Sequence, residues 1–280
     1  MHSAIQSAQA AKASAPHARR VLRWRRTKAT GLVLLAQIVL LAALLAAWEY
    51  TTSRAALSAF LFGSPSAIWG FLVTMWQDGS LFRDTYVTGM ETLAGFVIGN
   101  VVGTVIGLLL WYSRFVSRVV QPFVVALGSI PIIALAPIMI IWFGTGLASK
   151  VAMATLSVVV VALLTSYKGA MSVDPDQINL MRTLGASKRH IFRKLVVPAS
   201  LTDIFAGLKL TVGFALIGAI IGEFMSSSEG LGHAIFKAGS LYLIPKVFAA
   251  VVATIALALV LAFIVGKIER LLSPWRHDLQ

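Results

Sequence analysis

The chain has 280 residues, of which 58% are hydrophobic and 12% charged, with a net charge of +13. Soluble domains carry roughly 25% charged residues, so this composition excludes an ordinary soluble domain and indicates a helical protein with several membrane spans. Cysteine is absent and the five histidines are scattered, which excludes disulfides and thiolate chemistry and leaves no metal-ligand spacing.

Residues 1–30 are rich in Ala and Ser and carry Lys12, Arg19, Arg20, Arg23, Arg25, Arg26 and Lys28 with no acid, which reads as a disordered basic tail. A transit peptide has a similar composition. A cleaved signal does not fit, because the apolar run from Gly31 to Trp48 is ~18 residues, too long for a signal core. A first transmembrane helix is therefore expected over 31–52. Residues 53–84 form an extracytoplasmic segment. In it Ile68, Trp69, Leu72, Val73 and Trp76 share one helical face, which predicts an interfacial helix beginning at Pro65, with a connecting loop as the alternative.

A core of five spans is expected over 85–268. The second span, Thr85 to Trp111, carries Gly95, Gly99, Gly103 and Gly107, each four residues apart and so on one helix face. Such a face lets helix backbones approach closely in lipid. Arg114 and Arg118 mark a short loop. The third span, Val119 to Phe143, contains Pro122, Pro131 and Pro137. Internal prolines kink or break a helix, and irregular backbone at membrane depth is buried in protein or lines a cavity. Pro131 and Pro137 are thus pathway candidates. The fourth span is Lys150 to Tyr167, the fifth Thr202 to Ile221 and the sixth Val247 to Gly266. Between the last two lies a polar loop with Glu223, Glu229 and a Gly230-Leu231-Gly232 turn. Residues 269–280 form a cytoplasmic tail. The fold class is all-α and polytopic, with about six spans.

With the N-terminus inside, inner segments hold eighteen Lys and Arg and outer segments five. The positive-inside rule then places both termini in the cytoplasm and explains the basic charge without nucleic acid. The stretches Thr92–Trp111, Val119–Phe143, Val151–Tyr167 and Val247–Gly266 contain no ionisable residue, which argues against a proton- or ion-coupled carrier. Lys209 is the exception; it either snorkels toward the inner surface or faces the bundle interior, where it would attract an anion. No phosphate-binding glycine loop is present, and the spans suggest no nucleophile set or paired carboxylates, so no enzymatic activity is expected and any driving energy must enter through a partner.

The surface for that partner is the polar region 168–199, and within it the stretch Asp174 to Pro198. Asp174-Pro175 reads as an N-cap followed by proline at the first helical position, Gly185 as a helix stop, Ser187 as a second cap and Pro198 as an end or kink. The result is a helix, a glycine turn and a helix, with apolar side chains beside cationic ones.

The spacing of this region resembles the cytoplasmic EAA motif of membrane subunits of bacterial ATP-binding-cassette importers. Asn179-Leu180-Met181, Gly185, Leu195, Val197 and Pro198 stand at the motif's spacing, with Gly185-Ala186-Ser187 and Phe192 matching common choices. The leading Glu of the motif is replaced by Asn179. Over residues 60–272 further stretches, including Ser129-Ile130-Pro131, Ser172-Val173-Asp174-Pro175, Gly207-Leu208-Lys209 and Gly230-Leu231-Gly232, resemble the nitrate, sulfonate and taurine group.

The resemblance implies the type I importer permease fold in a bacterial cytoplasmic membrane. It implies a homodimer of permeases, two cytoplasmic ATPase subunits that hold the ATP and Mg, and an extracytoplasmic solute-binding protein. Asn179, Leu180, Met181, Gly185, Ala186, Ser187, Phe192, Leu195, Val197 and Pro198 would couple to the ATPase, with Phe192 as apolar anchor. Pro131, Pro137, Lys209 and Glu223 are candidates for the pathway or substrate. The implied substrate is a small organic anion such as a sulfonate, taurine or nitrate; the alternatives are an aromatic carboxylate, a vitamin precursor, or a secondary carrier or channel.

Overall fold

The computed structural model describes residues 32–54 and 58–272. The basic N-terminal tail and residues 273–280 of the C-terminal tail lie outside the described residues. The chain divides into two bodies, Met1–Ser66 and Ala67–Gln280.

In the first body, α1 (Leu32–Ser53) is apolar and exposed along almost its whole length. It is followed by α2 (Ala59–Phe62), and α3 (Pro65–Gln77) then begins. The Glu49 carboxylate of α1 accepts the Ser66 N–H at 3.0 Å and the Ser66 hydroxyl at 2.7 Å. Those bonds satisfy an orphan donor at the start of α3.

Among the described residues, the second body contains the rest of α3 and nine further α-helices. The apolar face expected of α3 is divided: Ile68 and Met75 point inward, whereas Trp69, Val73 and Trp76 are exposed, with Trp76 stacked on Phe82 at 4.5 Å. After Gly79, at φ +74°, α4 runs from Ser80 to Leu109 and ends in a short 3₁₀ turn, Leu110–Tyr112. It packs against α7 (Leu147–Met171), and α7 packs in turn against α10 (Val197–Ser226). A Cβ on Gly95, Gly99, Gly103 or Gly107 would approach atoms of α7 closer than 3.0 Å, backbone oxygens among them. α10 uses the same device against α7, at Gly207 and Gly218.

Several expected boundaries move. Arg114 and Arg118 are not in a loop; they lie in the first turns of α5 (Arg114–Gly128), whose Ser113 cap accepts the Val116 N–H. The third span is two helices, α5 and α6 (Ile132–Phe143), bent by 95°. The break falls at Pro131, which lacks an N–H and disfavours helix in the residue before it, while Pro122 and Pro137 sit inside α5 and α6. The fifth span does not start near Thr202, and Pro198 does not end the helix. Helix continues from Lys188 through Ser226, and a π turn at Phe192–Val196, closed by a bond from the Val197 N–H to the Phe192 carbonyl, directly precedes Pro198. The polar loop after α10 contains α11 (Leu231–Ser240), and α12 (Ile244–Leu272) closes the fold. Among the described residues five helices are long and apolar enough to cross a membrane, or six spans if the bent pair is counted as one.

A substitution that adds one methyl group tests the close α4–α7 approach. Gly103→Ala should lower the melting temperature in detergent by about 2–8 °C, given about 1–3 kcal/mol for overpacking. Gly213→Ala, where nothing lies within 4 Å, should leave the melting temperature unchanged or slightly raised. Scanning fluorimetry of the three proteins decides the matter.

Candidate functional site

The polar region between α7 and α10 folds as two short helices. Asp174 caps α8 (Pro175–Thr183) by accepting the Asp176 N–H at 2.9 Å. The helix stops at Gly185, φ +79°, with bonds from Ala186 N–H to the Met181 carbonyl and from Gly185 N–H to the Arg182 carbonyl. This pair is the glycine-closed C-cap in which the left-handed residue satisfies two orphan carbonyls. Ser187 then caps α9 (Lys188–Ile191), which runs on through the π turn into α10.

The region has its own core. Ala170, Val173, Ile191 and Val196 are buried together, with Met181, Ala186, Phe192 and Leu195 packed around them beside Leu108 and Trp111. Phe192 is therefore not an outward anchor. Its ring lies 5.6 Å from Trp111 and 4.6 Å from Tyr112, so it ties the region to the end of α4. Lys188 adds a second tie, donating to the Tyr112 carbonyl at 2.5 Å and lying over the rings of Trp111 and Tyr112. The apolar side chains that do face outward are Leu180 and Leu184, 61% and 77% exposed. Asn179, Ser187 and Pro198 are exposed too, and Val197 is half-buried. Asn179 accepts a long bond, 3.4 Å, from Arg182. Leu184 escaped the sequence reading because it precedes the stop glycine; an apolar residue at an exposed C-cap was the available signal.

The other candidates do not converge on one site. Lys209 and Glu223 both belong to α10 but are fourteen positions apart, about 21 Å along the helix. Lys209 is ion-paired with Glu269 of α12 at 2.5 Å, so it is not a lone intramembrane cation. Pro131 and Pro137 are exposed on the α5–α6 pair.

Glu223 is 1% exposed and sits in a buried polar cluster at the end of the bundle opposite α8 and α9. It accepts from the Thr88 hydroxyl at 2.6 Å and from the Gly232 N–H. The Glu91 carboxyl group lies within hydrogen-bonding reach of it, with Oε2 of Glu91 left unpartnered. Lys150 interacts with both carboxyl groups and donates to the carbonyls of Thr145 and Ser226. Asp84, Thr88, Glu91, Thr92 and Lys150 are all buried within α4 and α7. The stretches Thr92–Trp111 and Val151–Tyr167 are free of charge as expected, but α4 begins at Ser80 and α7 at Leu147, so the helices that contain them also carry Asp84, Glu91 and Lys150. The signal was present: Asp84, Thr88, Glu91 and Thr92 continue the glycine stripe toward the start of α4.

Comparison with known proteins places this geometry. Residues 99–276 match the family described as binding-protein-dependent transport system inner membrane component. A probable ABC transporter permease protein of Haemophilus influenzae is 32% identical over 230 residues, covering 82% of this chain and 93% of that protein. The riboflavin transport system permease protein RibX of Chloroflexus aurantiacus is 33% identical, covering 85% and 88%. The taurine transport system permease protein TauC of Escherichia coli is 25% identical, covering 94% and 97%. A chain of the inward-facing MetNI methionine ABC transporter superposes with TM-score 0.62 at 22% identity, covering 70% of this chain and 96% of that one, which shows a shared fold. A long helical core closed by a self-packed helix pair at one end, matched by the family over most of its length, makes this chain a member of the binding-protein-dependent inner-membrane components, the permeases of type I ABC importers.

Proposed function

We propose that the chain is the pathway-forming subunit of an ATP-driven importer and works as a pair of copies. Two cytoplasmic ATPase subunits receive its α8–α9 region, and an extracytoplasmic binding protein delivers solute at the opposite end. The observation that carries this reading is the continuity of dock and span: α9, the π turn and α10 form one unbroken helix from Lys188 to Ser226. A shift imposed on the dock by ATP is carried along that helix into the membrane. The excess of Lys and Arg in the inner segments supports a cytoplasmic position for both termini and for α8–α9. Leu180 and Leu184, beside Asn179 and Arg182, supply the face that enters a groove on the ATPase. Phe192 and Leu195 hold that face against the bundle, and ATP and Mg remain on the partner.

The solute is a small organic molecule taken from the binding protein. The taurine permease and the putative aliphatic sulfonates permease SsuC of Bacillus subtilis support a sulfonate-like anion. A second reading, a heteroaromatic vitamin or vitamin precursor, is favoured by higher identities. RibX stands at 33% and the formylaminopyrimidine permease ThiX of Halalkalibacterium halodurans at 36%, against 25–26% for the sulfonate-type proteins. The Lys209–Glu269 pair also removes the one cation in α10 that favoured an anion.

Leu184→Asp should cut co-purification with the ATPase at least about tenfold, since burying an unpaired carboxylate costs a few kcal/mol and about 1.4 kcal/mol is a factor of ten. The permease itself should keep its melting temperature. Phe192→Asp should instead lower that temperature, because it opens the region's own core. Retained ATPase binding by Leu184→Asp would refute the docking face. In proteoliposomes, uptake should require the ATPase, ATP and the loaded binding protein together, and unaided flux through the chain alone would refute the ATP-driven reading.

A further inference from the structure

α11 has no cap of its own. Gly230, which precedes it, has φ +105° and no side chain. The first N–H groups of any helix lack partners within it. Here side chains of two other helices take three of them: Asp84 Oδ1 of α4 accepts from Gly230 at 3.1 Å, Thr88 Oγ1 of α4 from Leu231 at 2.8 Å, and Glu223 Oε2 of α10 from Gly232. The Thr88 hydroxyl in turn donates to Glu223 Oε1, so one hydroxyl bridges α4, α10 and α11. Asp84, Thr88, Glu223 and Leu231 are all buried. The carboxylates also suit the positive end of the α11 dipole. Side chains are shut out of this contact, because a Cβ on Gly230 or Gly232 would come closer than 3.0 Å to the Glu223 carboxylate.

The far end of α11 is held differently. The chain turns there through Tyr242, φ +56°, the one non-glycine residue at positive φ among the described residues, and enters α12. α11 thus bridges a fixed turn into α12 and a hydrogen-bonded seat on α4 and α10. The seat lies three residues from the end of the 39-residue helix that starts in the dock, about 58 Å long.

We propose that Asp84, Thr88 and Glu223 are positioning residues that latch α11 to α10, so that displacement of the dock appears at the opposite membrane face as displacement of α11. This rests on the ATP-driven reading above. In that orientation α11 lies on the side of the binding protein, with Phe236 and Lys237 exposed, and the latch couples ATP binding to the surface that receives the loaded partner.

The absence of cysteine makes the test direct, since Lys237→Cys on α11 and Met225→Cys at the end of α10 each introduce a single reporter thiol. The permease is reconstituted with its ATPase partner in liposomes, and labelling by an impermeant maleimide is timed with and without ATP and vanadate. In the parent background both thiols should change their labelling rate severalfold on trapping. Thr88→Val, which keeps the shape but removes the bridging hydroxyl, should abolish the response at Lys237→Cys and preserve it at Met225→Cys. Thr88→Ser, which restores the hydroxyl, should restore both. The preserved α10 response shows that the valine variant is folded and coupled. An undiminished α11 response in Thr88→Val would overturn the latch alone. A parent chain in which neither thiol responds to ATP would overturn the ATP-driven reading, and the latch with it.

Discussion

Four glycines let the backbone of α4 lie directly on α7, where Ala154, Val158, Ala162 and Ser166 occupy the space that α4 side chains would otherwise fill. In a bilayer there is little hydrophobic gain in bringing two apolar helices together, so association depends on close packing and on hydrogen bonds between helices. α7 obtains close packing from two helices, from the glycine stripe of α4 and from Gly207 and Gly218 of α10. The short separation also brings small polar groups into reach. Ser166 of α7 bonds to Thr104 of α4 at 3.2 Å, and Thr211 of α10 bonds to Asn100 of α4 at 3.0 Å. The positions of α8, α9 and α11 follow from this three-helix stack, because each is seated on the end of a helix within it.

One stripe of α4 serves two purposes along its length. From Gly95 to Gly107 it is bare and admits α7. From Asp84 to Thr92 the same face carries carboxylates and hydroxyls, and it meets α10 and the start of α11. Buried polar groups are costly unless they are bonded, and most here are. The backbone N–H groups of Gly230 and Gly232, unsatisfied by α11 itself, donate to the carboxylates of Asp84 and Glu223, and that of Leu231 donates to the Thr88 hydroxyl. Lys150 is satisfied by two carbonyls at helix ends. The cluster and the helix start solve each other's hydrogen-bonding deficits.

At the opposite end, the motif residues divide by the direction they face. Met181, Ala186, Phe192 and Leu195 close a small core against Trp111 and Ala170, whereas Asn179, Leu180 and Leu184 remain on the surface. Spacing alone cannot make that division, because it specifies a helical register and not which side the bundle occupies. Phe192 illustrates the limit. Its neighbours Trp111 and Tyr112 are some eighty positions away in the chain, and only the antiparallel course of α4, α7 and α10 brings them together.

The sequence by itself determined what depends on local chemistry: an all-α membrane protein with several spans, the caps at Asp174 and Ser187, the stop at Gly185 and the four-residue period of the glycines. Each rests on hydrophobic content, on a backbone angle or on hydrogen bonds within a few residues, so each is written in consecutive positions. The start of α4 was misplaced because its first turns carry Arg83 and Asp84, which read as loop until their partners are known. Likewise Pro198 reads as a break until the π turn before it is seen. Tertiary contacts alone establish that Lys209 is paired, that Phe192 packs on Trp111 and Tyr112 and that Asp84, Thr88 and Glu223 together seat α11. Those facts depend on which distant helix supplies the partner, and that is set by helix packing rather than by the residues on either side.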